Sequence, residues 1–143
     1  MPPDALDPYR LERFVEAQND VYPQVVAELR QGRKRSHWMW FIFPQIRGLG
    51  SSPTAIEFAI SSRDEAARYL AHPVLGPRLE ECTRLVTQVQ GRSIGQIFPY
   101  PDDLKFCSSM TLFAQAAADN RIFLEALRKY CGGQLDERTL ALL

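Results

Sequence analysis

Two clusters of donor side chains in this chain could hold an anion or move a proton. The first, Arg33-Lys34-Arg35-Ser36-His37, runs straight into Trp38-Met39-Trp40-Phe41-Ile42-Phe43 and is closed by Pro44. The second is Asp102-Asp103-Leu104-Lys105-Phe106-Cys107-Ser108-Ser109. Guanidinium, ammonium and hydroxyl groups donate to phosphate or carboxylate oxygens without needing a shifted pKa, and an indole can stack on a ring. The candidate ligand contacts are therefore Arg33, Arg35, Ser36, His37, Trp38, Trp40, Lys105, Ser108 and Ser109. A second chemistry is a serine activated by Lys105, which needs a lysine held neutral by burial. Asp102 shares that helical face and opposes it, so a phosphate contact is the better reading. Against both stands a plainer one, in which the cations are solvated and the tryptophans fill the core.

Other candidates are weaker. Gly48-Leu49-Gly50-Ser51-Ser52-Pro53 can present backbone N–H groups to an anion, although Gly-Ser turns also serve simply as caps. His37 and His72 have no metal-ligand spacing with any cysteine or carboxylate, so no metal is expected. No cofactor motif is present. His72, before Pro73, reads as a loop hydrogen-bonder. Arg78 reads equally as an ion-pair partner for an acid such as Glu81 or as a ligand contact.

The elements that must position these groups read as helices. Asp7-Pro8 is a cap and first-turn proline, with Leu11, Phe14, Val15 and Gln18 on one face. Asn19 or Asp20 restarts a helix carrying Val21, Val25 and Leu29, with Gly32 near its end. Ser52-Pro53 opens another, and Ser62 to Glu65 fits a capping box. Leu75, Leu79, Cys82, Leu85 (or Val86) and Val89 keep helical spacing up to Gly91. After the rigid "PYP", Leu104 to Gln115 is helical in period. Asp119 and Asp136 cap two more. No sustained alternation and no hairpin turn suggests a strand. The expected fold is all-α: a single compact domain, residues 1–143, of about eight short-to-medium helices, with residues 1–7 a loose tail.

"WMWFIF" could be a short buried strand by residue type. A helix from an Ser36 cap to Phe43 is preferred, because Pro44 stops it and a lone strand would have no partner. Such a helix is apolar all round, so it should be central and buried. Its N-terminus, with unpaired N–H groups, would face Arg33 to His37. An anion there, from a ligand or from an acid elsewhere in the fold, would relieve the repulsion.

Composition bounds the function. The 17 cations and 17 anions cancel, which argues against a general nucleic-acid binder but not against a local patch at Arg33–Arg35. The three cysteines lie far apart with no CxxC pair, so a disulfide framework or zinc site is not expected and a reducing, cytoplasmic setting is. Cys107 reads as a small apolar packing residue. The N-terminus has no apolar signal core, and no run approaches membrane-spanning length.

Three blocks carry a resemblance: "GRKRSHWMWFIFPQIRGLGSS", "YLAHPVLGPRLEECT" and "YPDDLKFCSSMTLFA". Together they resemble the DUF1810 family of small, mostly bacterial proteins, from about Phe14 to the C-terminus. The resemblance implies a helical single domain and carries over no catalytic residue. Some members bear calpastatin-like names, but a compact globular chain does not fit a disordered multi-repeat inhibitor.

Three functional readings follow. The first is a domain that binds a small anionic or nucleotide-like molecule, with an enzyme of unknown reaction left open. The second is an interaction adaptor or homodimeric module, in which a groove takes a partner helix. The third is nucleic-acid binding through Arg33–Arg35. Whether the two donor clusters meet in space is for the fold to decide.

Overall fold

The computed structural model describes residues 6–143; the start of the expected tail, residues 1–5, lies outside them. Among the described residues there are ten helices and no strand. The all-α expectation holds, and the excess over eight comes from single-turn pieces.

Local signals set most of the boundaries. The Asp7 carboxylate accepts the amides of Leu11 (2.7 Å) and Glu12 (3.0 Å) and so starts α1 (Glu12–Asn19), which buries Phe14, Val15 and Gln18. Helix α2 (Tyr22–Arg30) has a proline in its first turn and ends in a reversal at Gly32, whose φ of 76° suits glycine. Helix α3 (Met39–Ile42) is one turn long. Ser52 caps α4 (Pro53–Glu57) by accepting from Ala55 N at 3.1 Å. Ser62 caps α5 (Arg63–Ala71) by accepting from Glu65 N at 3.1 Å. His72 Nδ1 then accepts from Val74 and Leu75, the loop role expected of it, and leads into α6 (Leu75–Gln88).

The second half supplies the centre. After the short α7 (Ile94–Ile97) comes α8 (Asp102–Ala116), with every residue from Ser108 to Ala114 buried. Helices α5, α9 (Arg121–Tyr130), α10 (Glu137–Ala141) and α7 pack around it. The stretch buried on all sides is thus the middle of α8. The "WMWFIF" helix exists but begins at Met39, not Ser36. Trp38, Met39, Ile42 and Phe43 are buried, while Trp40 and Phe41 reach the surface. Phe43 packs edge-on against Phe106 of α8 at 5.1 Å, and Phe98 stacks on Phe106 at 5.2 Å. The segment that follows Pro44 is fixed by an isolated parallel bridge, Ile46 to Ile60. In it Arg47 N donates to Ile60 O (2.8 Å) and Ile60 N to Gln45 O (2.9 Å). The loop between, carrying α4, buries no α4 residue.

One expectation fails. Cys107 and Cys131 form a disulfide that ties the middle of α8 to the end of α9, with Cα atoms 6.1 Å apart. Cys107 is therefore a cross-link and not merely a packing residue. The cysteine pattern loses its force as a sign of a reducing compartment. Cys82 remains an unpaired, buried thiol. No helix is long and apolar enough to cross a membrane among the described residues.

Candidate functional site

The donor-rich entrance to α3 is already occupied, by the protein's own Glu28. This side chain sits in the last turn of α2, 1% exposed. Its Oε1 accepts from Arg35 N (2.6 Å), Ser36 N (3.0 Å) and the Trp38 indole N–H (3.0 Å). Its Oε2 accepts from the Ser36 hydroxyl (2.6 Å) and the Gln24 amide (2.8 Å). Burial pushes the carboxyl pKa up, but the bonds from Ser36, Arg35 and Gln24 outweigh it and hold the value at about 2. An acid from elsewhere in the fold, not a ligand, answers the donors ahead of α3, the Arg35 and Ser36 amides and the Trp38 indole.

The remaining members of the first cluster scatter. Arg33, Arg35 and His37 are exposed. Lys34 turns inward to Asp102 (2.8 Å), its side chain 9% exposed, with its ammonium 5.3 Å from the centre of the Trp38 ring. Trp38 is core. Arg33, Arg35, Ser36, His37 and Trp38 are therefore not brought into one cleft with Lys105 and Ser108. Ser109 lies apart from them, its hydroxyl fully buried and without a hydrogen-bond partner among the described residues.

Three candidates do converge. Trp40, Lys105 and Ser108 line one open groove of about 420 Å³. The Lys105 ammonium stands 5.1 Å from the Trp40 ring centre and 3.6 Å from Asp102. Asp102 thereby lies between Lys34 and Lys105 and partly neutralises both. Leu49 to Ser52 form the facing wall, so the Gly-Ser turn read from sequence belongs to this groove. Tyr100, 79% exposed, and Leu104, 56% exposed, make an apolar rim. Arg138 of α10 brings a second cation. Among the described residues the lining holds three serines and no carboxylate.

The serines do not form a nucleophile. Ser108 donates to Asp136 Oδ2 (2.9 Å) and lies 3.1 Å from the Leu104 carbonyl. Asp136 also accepts from the Thr139 hydroxyl at 2.5 Å and receives no lysine. Ser108 thus positions the start of α10, and with it Arg138. A lysine-activated serine needs a hydroxyl–amine contact that these bonds do not provide. Among the described residues no cluster of histidine, cysteine and acids could hold a metal.

The family model described as "Protein of unknown function (DUF1810)" matches residues 8–143. The chain belongs to the DUF1810 family. Among solved structures, the DUF1810 chain is similar to that of the conserved hypothetical protein Rv1873 from Mycobacterium tuberculosis. The two share 65% identity over 96% of this chain and 98% of the other, with a TM-score of 0.95. No curated protein matches.

Sequence reasoning missed Glu28 and Arg138 in this DUF1810 domain. Glu28 did give a signal, since a carboxylate in the last turn of a helix faces the wrong pole of the dipole and needs another partner. Arg138 gave none, because long-range contacts of Asp136 with Ser108 and Thr111 bring α10 to the groove.

Proposed function

We propose that the groove between Trp40, the Leu49–Ser52 wall and Lys105 binds a small anionic molecule bearing a ring, of nucleotide-like size. The observation that carries this is the charge of the lining. In a chain with equal numbers of cations and anions, the lining has Lys105, Arg138 and three serines but no acid among the described residues. Its volume of about 420 Å³ suits a small ligand. Trp40 offers the flat surface, and Lys105 lies against that indole. No reaction is assigned.

The test is calorimetric titration and thermal shift with ADP, adenosine and a panel of phosphorylated metabolites. A hit should raise the melting temperature. Lys105→Ala and Arg138→Ala should each weaken it about tenfold or more, the loss expected for one charge-assisted hydrogen bond. Trp40→Ala should weaken ADP more than inorganic phosphate, and Arg35→Ala should leave affinity unchanged. A panel without any hit, or a hit indifferent to Lys105→Ala, would overturn the reading.

A further inference from the structure

A larger cavity, about 540 Å³, lies on the other side of the α4 loop, between that loop and the N-terminal turn. Its construction centres on Arg13, whose side chain is 10% exposed. All five guanidinium donors of Arg13 are taken by the protein. Nε donates to Glu57 O (2.8 Å), Nη1 to Tyr9 O (2.5 Å) and Arg10 O (3.0 Å), and Nη2 to Ala59 O (2.9 Å) and the Glu65 carboxylate (3.0 Å). Glu65, its side chain 3% exposed, is further held by the Ser61 amide (2.9 Å) and hydroxyl (2.7 Å). Arg13 and Glu65 therefore cancel each other and have no function left toward a ligand. They clamp the Tyr9-Arg10 turn to the end of α4 and so fix the two sides of the cavity.

The clamp holds Arg10 in a left-handed conformation, φ 54°, the only non-glycine residue so placed among the described residues. A branched-off side chain disfavours that region, which persists only where surroundings impose it. Here they do, because the Arg10 carbonyl receives Arg13 and its amide bonds Asp7 O at 3.1 Å. Arg10 and Arg47 both line the cavity, and neither guanidinium has a protein partner among the described residues. Among the described residues Glu57 is the one acid of the lining outside the Arg13 pair, which leaves that described lining with a net positive charge. Tyr9, Pro8 and the exposed Ile56 add an apolar wall.

We infer that this cavity is a second ligand site, which takes a phosphate monoester with an apolar substituent, Arg10 and Arg47 meeting the phosphate and Tyr9 and Ile56 the substituent. Two guanidinium forks match a doubly charged phosphate better than a single carboxylate. The inference does not depend on the groove, and its test silences the groove first.

Phenyl phosphate is titrated into the Lys105→Ala/Arg138→Ala protein by calorimetry and amide NMR, at low and at raised sodium chloride. Saturable binding is expected, with shifts at Tyr9, Arg10 and Arg47, weakened by salt. Adding Arg10→Gly should cost about tenfold or more in affinity while leaving the melting temperature unchanged or higher, since glycine accepts the left-handed turn. Arg47→Ala, at an exposed side chain, should do the same to affinity without unfolding the chain. Absence of saturable binding in the groove-silenced protein, or binding that survives both Arg10→Gly and Arg47→Ala, would overturn the inference.

Discussion

Replacing Glu28 with glutamine tests how the entrance to α3 is held. In the fold the carboxyl titrates at about 2, against an ordinary 4.5 in the open chain. At about 1.4 kcal/mol per pH unit, that gap corresponds to about 3 kcal/mol of stability at neutral pH. Because the folded value is depressed, the contribution is complete above pH 4.5 and fades as pH falls toward 2. Glutamine keeps the shape but replaces the anion that accepts from Arg35 N, Ser36 N and the Trp38 N–H on one oxygen and from the Ser36 hydroxyl and Gln24 on the other by a neutral amide with a single accepting oxygen. Urea unfolding followed by circular dichroism should show Glu28→Gln less stable by about 3 kcal/mol at pH 7, with the gap narrowing to less than about 1 kcal/mol at the lowest pH where both fold. The other carboxylates titrate in both proteins, so the difference isolates this one. A companion experiment uses Glu28→Ala, which leaves the donors empty. Formate should restore stability, adding about 1.4 kcal/mol for each tenfold rise above its dissociation constant. A gap that stays constant with pH, together with formate that does nothing, would refute the account of this carboxylate as an internal anion.

Other expectations concern single contacts. Cys107→Ser, or reduction of the bridge to Cys131, removes a constraint across a sequence separation of 24. It should lower stability by about 3 kcal/mol and the melting temperature by about 10 °C in differential scanning calorimetry. After reduction of the native protein, two thiols should react with a disulfide reagent. Cys82 should react only in denaturant, since burial pushes its thiol up to about 12. Gly76→Ala should cost about 3 kcal/mol in urea unfolding, because a Cβ would come 2.1 Å from the Leu70 carbonyl oxygen, a backbone atom that cannot move aside. Ser109→Ala removes a buried hydroxyl without a partner and should leave stability unchanged or raise it by up to about 1 kcal/mol. Ser108→Ala deprives Asp136 of a donor and should lower it by about 1–2 kcal/mol in the same assay.

What the sequence made legible was local. The serine caps at Ser52 and Ser62, the Asp136 cap and the glycine stop near Gly32 depend on residues a few positions apart, and each appears where expected. The apolar stripe of Phe106, Met110 and Phe113 is core, as its spacing requires. The Asp102–Lys105 pair was also readable, being one helical turn long. The "WMWFIF" run was read as buried throughout because all six residues are apolar, but a single turn cannot hide every face, and Trp40 comes out at the groove. Long-range matters stayed hidden. The Cys107–Cys131 bridge depends on how α8 meets α9. The groove needs Trp40, Gly50, Lys105 and Arg138, which only packing brings together. Arg33, Arg35 and His37 resembled a binding cluster because donor type can be read from a sequence, whereas the fold that seats Glu28 against Arg35, Ser36 and Trp38 cannot.

The two tryptophans of the chain, Trp38 and Trp40, stand two positions apart and face opposite environments. One is sealed in the interior with its indole N–H on Glu28; the other lines the groove beside an ammonium. The molecule consequently carries two optical reporters with separate subjects. Emission from Trp38 is shielded from an aqueous quencher and follows the integrity of the fold, whereas emission from Trp40 is open to the quencher and follows what enters the groove. A Trp38→Phe or Trp40→Phe protein would reduce the signal to a single source.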